Sequence, residues 1–97
     1  IVPKKHSATL LEIDQDSLAQ LIQSVQKVAK SLTKSLKLEG FNLTQNNGTV
    51  AGQSVHHLHM HLIPRYPNDG LKAWPHGSYS SQEEAKDLAK MIQKNLE

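Results

Sequence analysis

Three observations predict an α+β fold for this 97-residue chain. Apolar residues recur at helical spacing between residues 18 and 36. Stretches over 41–45 and 53–63 alternate as strands do, and a second helical stripe runs from 85 to 96. The length suits one domain, residues 1–97, and a hydrophobic content of 37% supports a small core.

Taken in order, Ile1 and Val2 read as the end of a strand that Pro3 stops, and Lys4-Lys5-His6 as a polar turn. The chain opens without a methionine, so further sequence is expected upstream. Asp14 or Asp16 can cap the first helix. Its stripe comprises Leu18, Leu21, Ile22, Val25, Val28, Ala29, Leu32 and Leu36. Gly40 is suited to close it in a left-handed conformation. Phe41, Leu43 and Gln45 alternate with Asn42 and Thr44, and Asn46-Asn47-Gly48 is a turn sequence. A strand is expected from Gln53 or Ser54 to Ile63, ended by Pro64 and antiparallel to the 41–45 strand. Breakers Pro67, Gly70, Pro75 and Gly77 then mark a loop containing Trp74. Ser81 and Glu84 form a capping box for a C-terminal helix striped by Ala85, Leu88, Ala89, Ile92 and Leu96.

Composition removes several function classes. The net charge of +2 is slight and Arg65 is the only arginine. Nucleic-acid binding, which calls for a basic stripe with arginine or aromatic residues, is not expected. Lys27, Lys30, Lys34 and Lys37 read as a solvated helix face. The chain has no cysteine, hence no disulfide or thiolate metal site, which fits a cytoplasmic location. No apolar run is long enough for a membrane span, so no membrane partner is expected.

The chemistry concentrates in His57-Leu58-His59-Met60-His61-Leu62-Ile63. In an extended segment the three imidazoles share one face, about 7 Å apart along the backbone, while Leu58, Met60 and Leu62 face a core. Such imidazoles suit either a metal, zinc above all, or nucleophilic catalysis. No carboxylate lies between Glu39 and Asp69 to complete or support a metal site. Asn46, Asn47, Gly48, Gly52, Gln53 and Ser54 lie there instead, neutral donors and glycines suited to a phosphoryl group. The residues therefore favour phosphate chemistry and leave the metal open. His56 has the opposite parity and reads as structural or exposed. His6 and His76 read as surface residues, and Trp74 as a packing residue.

The stretch GFNLTQNNGTVAGQSVHHLHMHLIPR resembles the active-site segment of the histidine triad (HIT) superfamily, whose motif alternates three histidines with hydrophobic residues. The Gly52-Gln53-Ser54-Val55 lead, the loop asparagine and Ile1-Val2-Pro3-Lys4-Lys5-His6 are also similar to the family's. The resemblance implies a HIT-like fold, a mainly antiparallel sheet with the long helix packed across it and a C-terminal helix. It also implies that the family's N-terminal strands and helix, with the base-contacting residues, are missing from this sequence.

The implied activity is hydrolysis or transfer of nucleoside monophosphates, with an adenine or guanine nucleotide as partner, no required cofactor and a homodimeric assembly. By position, His59 is the nucleophile, its Nδ1–H held by the backbone carbonyl of His57. His61 contacts phosphate oxygens or the bridging atom, and His57 supports the cluster. Ser54 serves the leaving group, while Asn46, Gln53 and the backbone near Gly52 hold phosphate. The third histidine argues against the uridylyltransferase branch, and the lack of cysteine against the zinc-finger nick-repair branch. Ser54 resembles the phosphoramidase branch, and Pro64-Arg65 resembles the dinucleoside polyphosphate hydrolases. The alternatives are a nucleotide-binding or protein-interaction module with little turnover, and a zinc-binding protein.

Overall fold

The computed structural model describes residues 1–70 and 82–96. Helix α1 spans Gln15–Leu36, strand β1 Gly40–Thr44, a short 3-10 turn Thr49–Ala51, strand β2 His61–Arg65 and helix α2 Gln82–Lys94. The two strands pair antiparallel, from Gly40 opposite Arg65 to Thr44 opposite His61. This is an α+β arrangement. No helix among the described residues is long and apolar enough to cross a membrane.

Asp14 caps α1, its carboxylate accepting the Ser17 N–H at 2.9 Å. That satisfies one of the donors a helix start leaves open. The Ser17 N–H, its hydroxyl and nearby Lys5 hold the Asp14 carboxyl at about 2, below its ordinary 3.8. Because the folded value is depressed, this stabilisation is complete above about pH 4 and disappears as pH falls through about 2. Asp14→Asn should therefore flatten the acid limb of a circular-dichroism unfolding curve. Identical limbs in variant and wild type would rule out the cap as its source.

The helix ends differently from expectation. Lys37, not Gly40, takes the left-handed conformation (φ 52°), and the N–H groups of Lys37 and Leu38 both reach the Thr33 carbonyl. A non-glycine residue there costs roughly 1 kcal/mol, and the turn places Leu38 among the buried residues. Gly40 instead opens β1.

The histidine segment also departs from a continuous strand. Ladder pairing begins only at His61, and Pro64 lies within β2, opposite Phe41, rather than ending it. Among the described residues β2 pairs in the sheet with β1 alone, and an edge strand tolerates a missing N–H. Residues 57–60 pair instead with the N-terminal segment. The Ile1 nitrogen donates to the Met60 carbonyl (2.7 Å), the Met60 N–H to Ile1 (2.8 Å) and the Leu58 N–H to Ser7 (2.6 Å). Ile1 and Val2 are thus backbone-paired at Ile1 without forming a regular strand.

These pairings set the core. Leu58 and Met60 pack with Leu21 and Val25 of α1, flanked by Ile1, Ile13 and Leu62. The helix consequently lies across the apolar side of the histidine segment. Helix α2 docks on α1 through polar bonds: Ser31 Oγ donates to the Ile92 carbonyl, Ser35 Oγ to Met91, and Asn95 Nδ2 to Ser35. Ser31 is buried within the apolar stripe. Of the expected α2 stripe, Ala85, Leu88, Ile92 and Leu96 are half-buried and Ala89 is exposed. Trp74, His76 and the Ser81 half of the capping box lie outside the described residues.

Candidate functional site

A cavity of about 640 Å³ opens on the side of the histidine segment away from the core. His57, His59, His61, Ser54, Asn46 and Gly52 line it, with Ile1, Val2, Val55 and Met60. Every expected site residue except Gln53 is therefore brought to one place.

His59 Nδ1 lies 2.7 Å from the His57 carbonyl oxygen. A carbonyl can only accept, so Nδ1 carries the hydrogen and Nε2 keeps the lone pair in the neutral ring. His61 meets His59 edge-on, ring centroids 5.0 Å apart and planes at 84°. Burial, then His59, lower the His61 pKa below the ordinary histidine value. His61 is thus biased towards its neutral form, able to donate from one nitrogen and accept at the other.

His57 is fixed from both sides. Its Nε2 donates to the Pro3 carbonyl at 2.9 Å, and its Nδ1 lies 3.1 Å from Nδ1 of His6. With hydrogen on Nε2, neutral His57 accepts at Nδ1, and His6 is the donor. His6 is exposed as expected, but it also touches the triad, which its distance in sequence conceals. Among the described residues, no three His, Cys, Asp or Glu side chains are grouped to hold a metal ion. His56 is exposed.

The loop before the triad sorts its polar residues. Asn46 faces the cavity, whereas Asn47 accepts the Leu10 N–H at 2.8 Å and exchanges amide bonds with Gln45. Gly52 has φ 93°, and a Cβ there would sit 3.3 Å from Asn46 Nδ2. Both conformation and space therefore call for glycine. The Gly52 N–H is donated to Thr49 at 3.0 Å, so this residue supplies room more than a phosphate donor.

Gln53 departs furthest from expectation. It is 2% exposed. Its Nε2 donates to the carbonyls of Ala8 (2.7 Å) and Val55 (3.0 Å), and its Oε1 accepts the Gly48 N–H (2.7 Å). An amide so fully engaged ties three backbone segments together and has nothing left for phosphate. Gln53→Leu should cost about 3 kcal/mol by leaving those backbone groups unpaired. Denaturant unfolding measures this; a loss below ~1 kcal/mol would remove the clamp.

The HIT domain family profile matches residues 1–68. An adenosine 5'-monophosphoramidase of Schizosaccharomyces pombe is 40% identical over 100 residues, covering 99% of this chain and 70% of that protein. An adenylylsulfatase of Arabidopsis thaliana is 32% identical over 99 residues, covering 99% and 50%. Among solved structures, a hypothetical histidine triad nucleotide-binding protein of Sulfolobus tokodaii superposes with a TM-score of 0.84 at 34% identity. That match covers 98% of this chain and 66% of the other. The chain thus spans half to seven tenths of these proteins' lengths.

Proposed function

The chain belongs to the HIT family, and from that premise we propose that it is a nucleotide hydrolase or nucleotidyl transferase acting at an α-phosphate through His59. The observation that carries this reading is the bond from His59 Nδ1–H to the His57 carbonyl. It leaves Nε2 as the nucleophilic nitrogen, on a ring lining a cavity with a hydroxyl and an amide. In the first step the Nε2 lone pair attacks phosphorus. A P–N or P–O bond breaks as Nε2–P forms, and the leaving group takes the bond pair and a proton supplied through Ser54. The His57 carbonyl supports the charge that develops on the ring. His61 and Asn46 hydrogen-bond the phosphate oxygens. In the second step water displaces His59 from phosphorus as the N–P bond breaks, its proton replacing the one given up through Ser54, which releases the nucleoside monophosphate and restores the imidazole.

The substrates proposed are purine nucleoside phosphoramidates or dinucleoside polyphosphates, with no metal in the chemical step. The relatives named phosphoramidase and adenylylsulfatase support cleavage next to an adenylyl phosphate. Homodimerisation belongs to the same proposal. Strand β1 exposes Phe41 and Leu43, and its outer edge pairs with no strand among the described residues.

The test is to incubate the whole protein, treated with chelator, with adenosine phosphoramidate and with a diadenosine polyphosphate. Rapid quenching and peptide mapping should find an adenylyl group on the peptide containing His59. Turnover of neither substrate, with no adduct, would leave a binding module in place of an enzyme.

A further inference from the structure

Among the described residues, Thr44 Oγ1 is buried without a hydrogen-bond partner. Thr44 stands directly opposite His61 in the β1–β2 register. Directly opposed residues of an antiparallel pair share a face, with Cβ atoms about 4.5–5.5 Å apart. The same face carries Asn42, Ile63 and Arg65, and the Arg65 Nη1 to Asn42 Oδ1 bond of 2.8 Å shows that its side chains do meet across the strands. Phe41, Leu43, Leu62 and Pro64 occupy the other face. A hydroxyl shut away from water and unpartnered is a net liability in the ligand-free protein. Valine has the same shape and would avoid it.

The liability disappears if the hydroxyl gains its partner only when the site is loaded. We propose that Thr44 is a positioning residue for His61: when a phosphoryl group engages one side of the imidazole, the Thr44 hydroxyl hydrogen-bonds the ring nitrogen turned away from it. The ring is then held between phosphate and hydroxyl, in the orientation the transfer step needs. A phosphoryl group favours a second proton on His61, and the hydroxyl oxygen accepts from the nitrogen that carries it. Among the described residues, His59 meets this ring edge-on, and Arg65, further along the same face, is paired with Asp69. His59 does not favour a charge on His61. The hydroxyl offsets part of that opposition.

The inference rests on the nucleotide-hydrolase reading above, and Thr44→Val and Thr44→Ser in the whole protein test it. Thr44→Val should be at least as heat-stable as wild type without ligand. In complex with AMP, its His61 resonance should titrate about half a unit lower than in wild type. Its kcat/KM should fall about fivefold, with Thr44→Ser restoring both values. Wild-type titration and wild-type kcat/KM in Thr44→Val would overturn the inference. So would a ligand-free variant clearly less stable than wild type, since the hydroxyl would then already have a partner. An adenylyl adduct on His59 that forms equally in both proteins, at equal rates, removes Thr44 alone. AMP that perturbs neither His59 nor His61 removes the hydrolase reading with it.

Discussion

His59→Ala is expected to lower nucleotide turnover by on the order of 10,000-fold or more while leaving nucleotide affinity within a few-fold of wild type. The asymmetry follows from geometry. The ring is oriented by a backbone carbonyl and shares its cavity with Ser54, Asn46 and His61; on the proposed mechanism its loss removes the nucleophile and leaves their contacts with the nucleotide in place. An interaction made only as the new bond forms contributes to kcat and little to ground-state binding. Turnover on adenosine phosphoramidate and calorimetric titration with AMP measure the two quantities separately. Retained turnover would transfer the role of nucleophile elsewhere; affinity lost in parallel would mean that His59 acts chiefly as a binding group.

Leu58→Ala should produce the largest loss of stability, about 3–4 kcal/mol. Leu58 is 0% exposed and packs with Leu21, Val25 and Met60. The substitution removes buried methyl groups and opens a cavity in a small core that has few neighbours able to fill it. For a domain of this size, such a loss lowers the melting temperature by well over 10 °C, on the order of 4–8 °C per kcal/mol. A melting temperature within about 5 °C of wild type would show that the site collapses around the smaller residue. Because Leu58 sits between His57 and His59, the imidazoles should disorder with the core, and activity should fall at temperatures where wild type is still folded.

Much of this was legible in the chain. Helix α1 announces itself through its stripe and the Asp14 cap, which act over a few residues. The imidazole face and its apolar reverse follow from simple alternation, as the buried Leu58 and Met60 confirm. What the sequence concealed depends on contacts between distant segments. Gly40 looked like the helix stop because glycine tolerates a left-handed backbone, yet burial of Leu38 moves the turn to Lys37. Pro64 reads as a strand end because proline lacks a donor, which matters little in a strand that, among the described residues, pairs in the sheet with β1 alone. Gln53 looked like a phosphate ligand because it neighbours Ser54, but its amide is consumed by Ala8, Gly48 and Val55. No local pattern predicts that His6 reaches His57 or that Ser31 is buried against α2.

The pairing of the N-terminal residues with the histidine segment has a kinetic consequence. Ile1 and Met60 are separated by 59 positions, Pro3 and His57 by 54, and His6 and His57 by 51. Helix α1 can form from neighbours alone, but these contacts require a long loop to close first. The His57 ring, which these contacts hold, therefore acquires its orientation only when the chain commits to its long-range pairing. A nascent or partly folded chain can hold a complete α1 and all three histidines and still have no organised site. The ability to act on a nucleotide should rise in refolding with the slowest, long-range phase, and not with the early gain of helix.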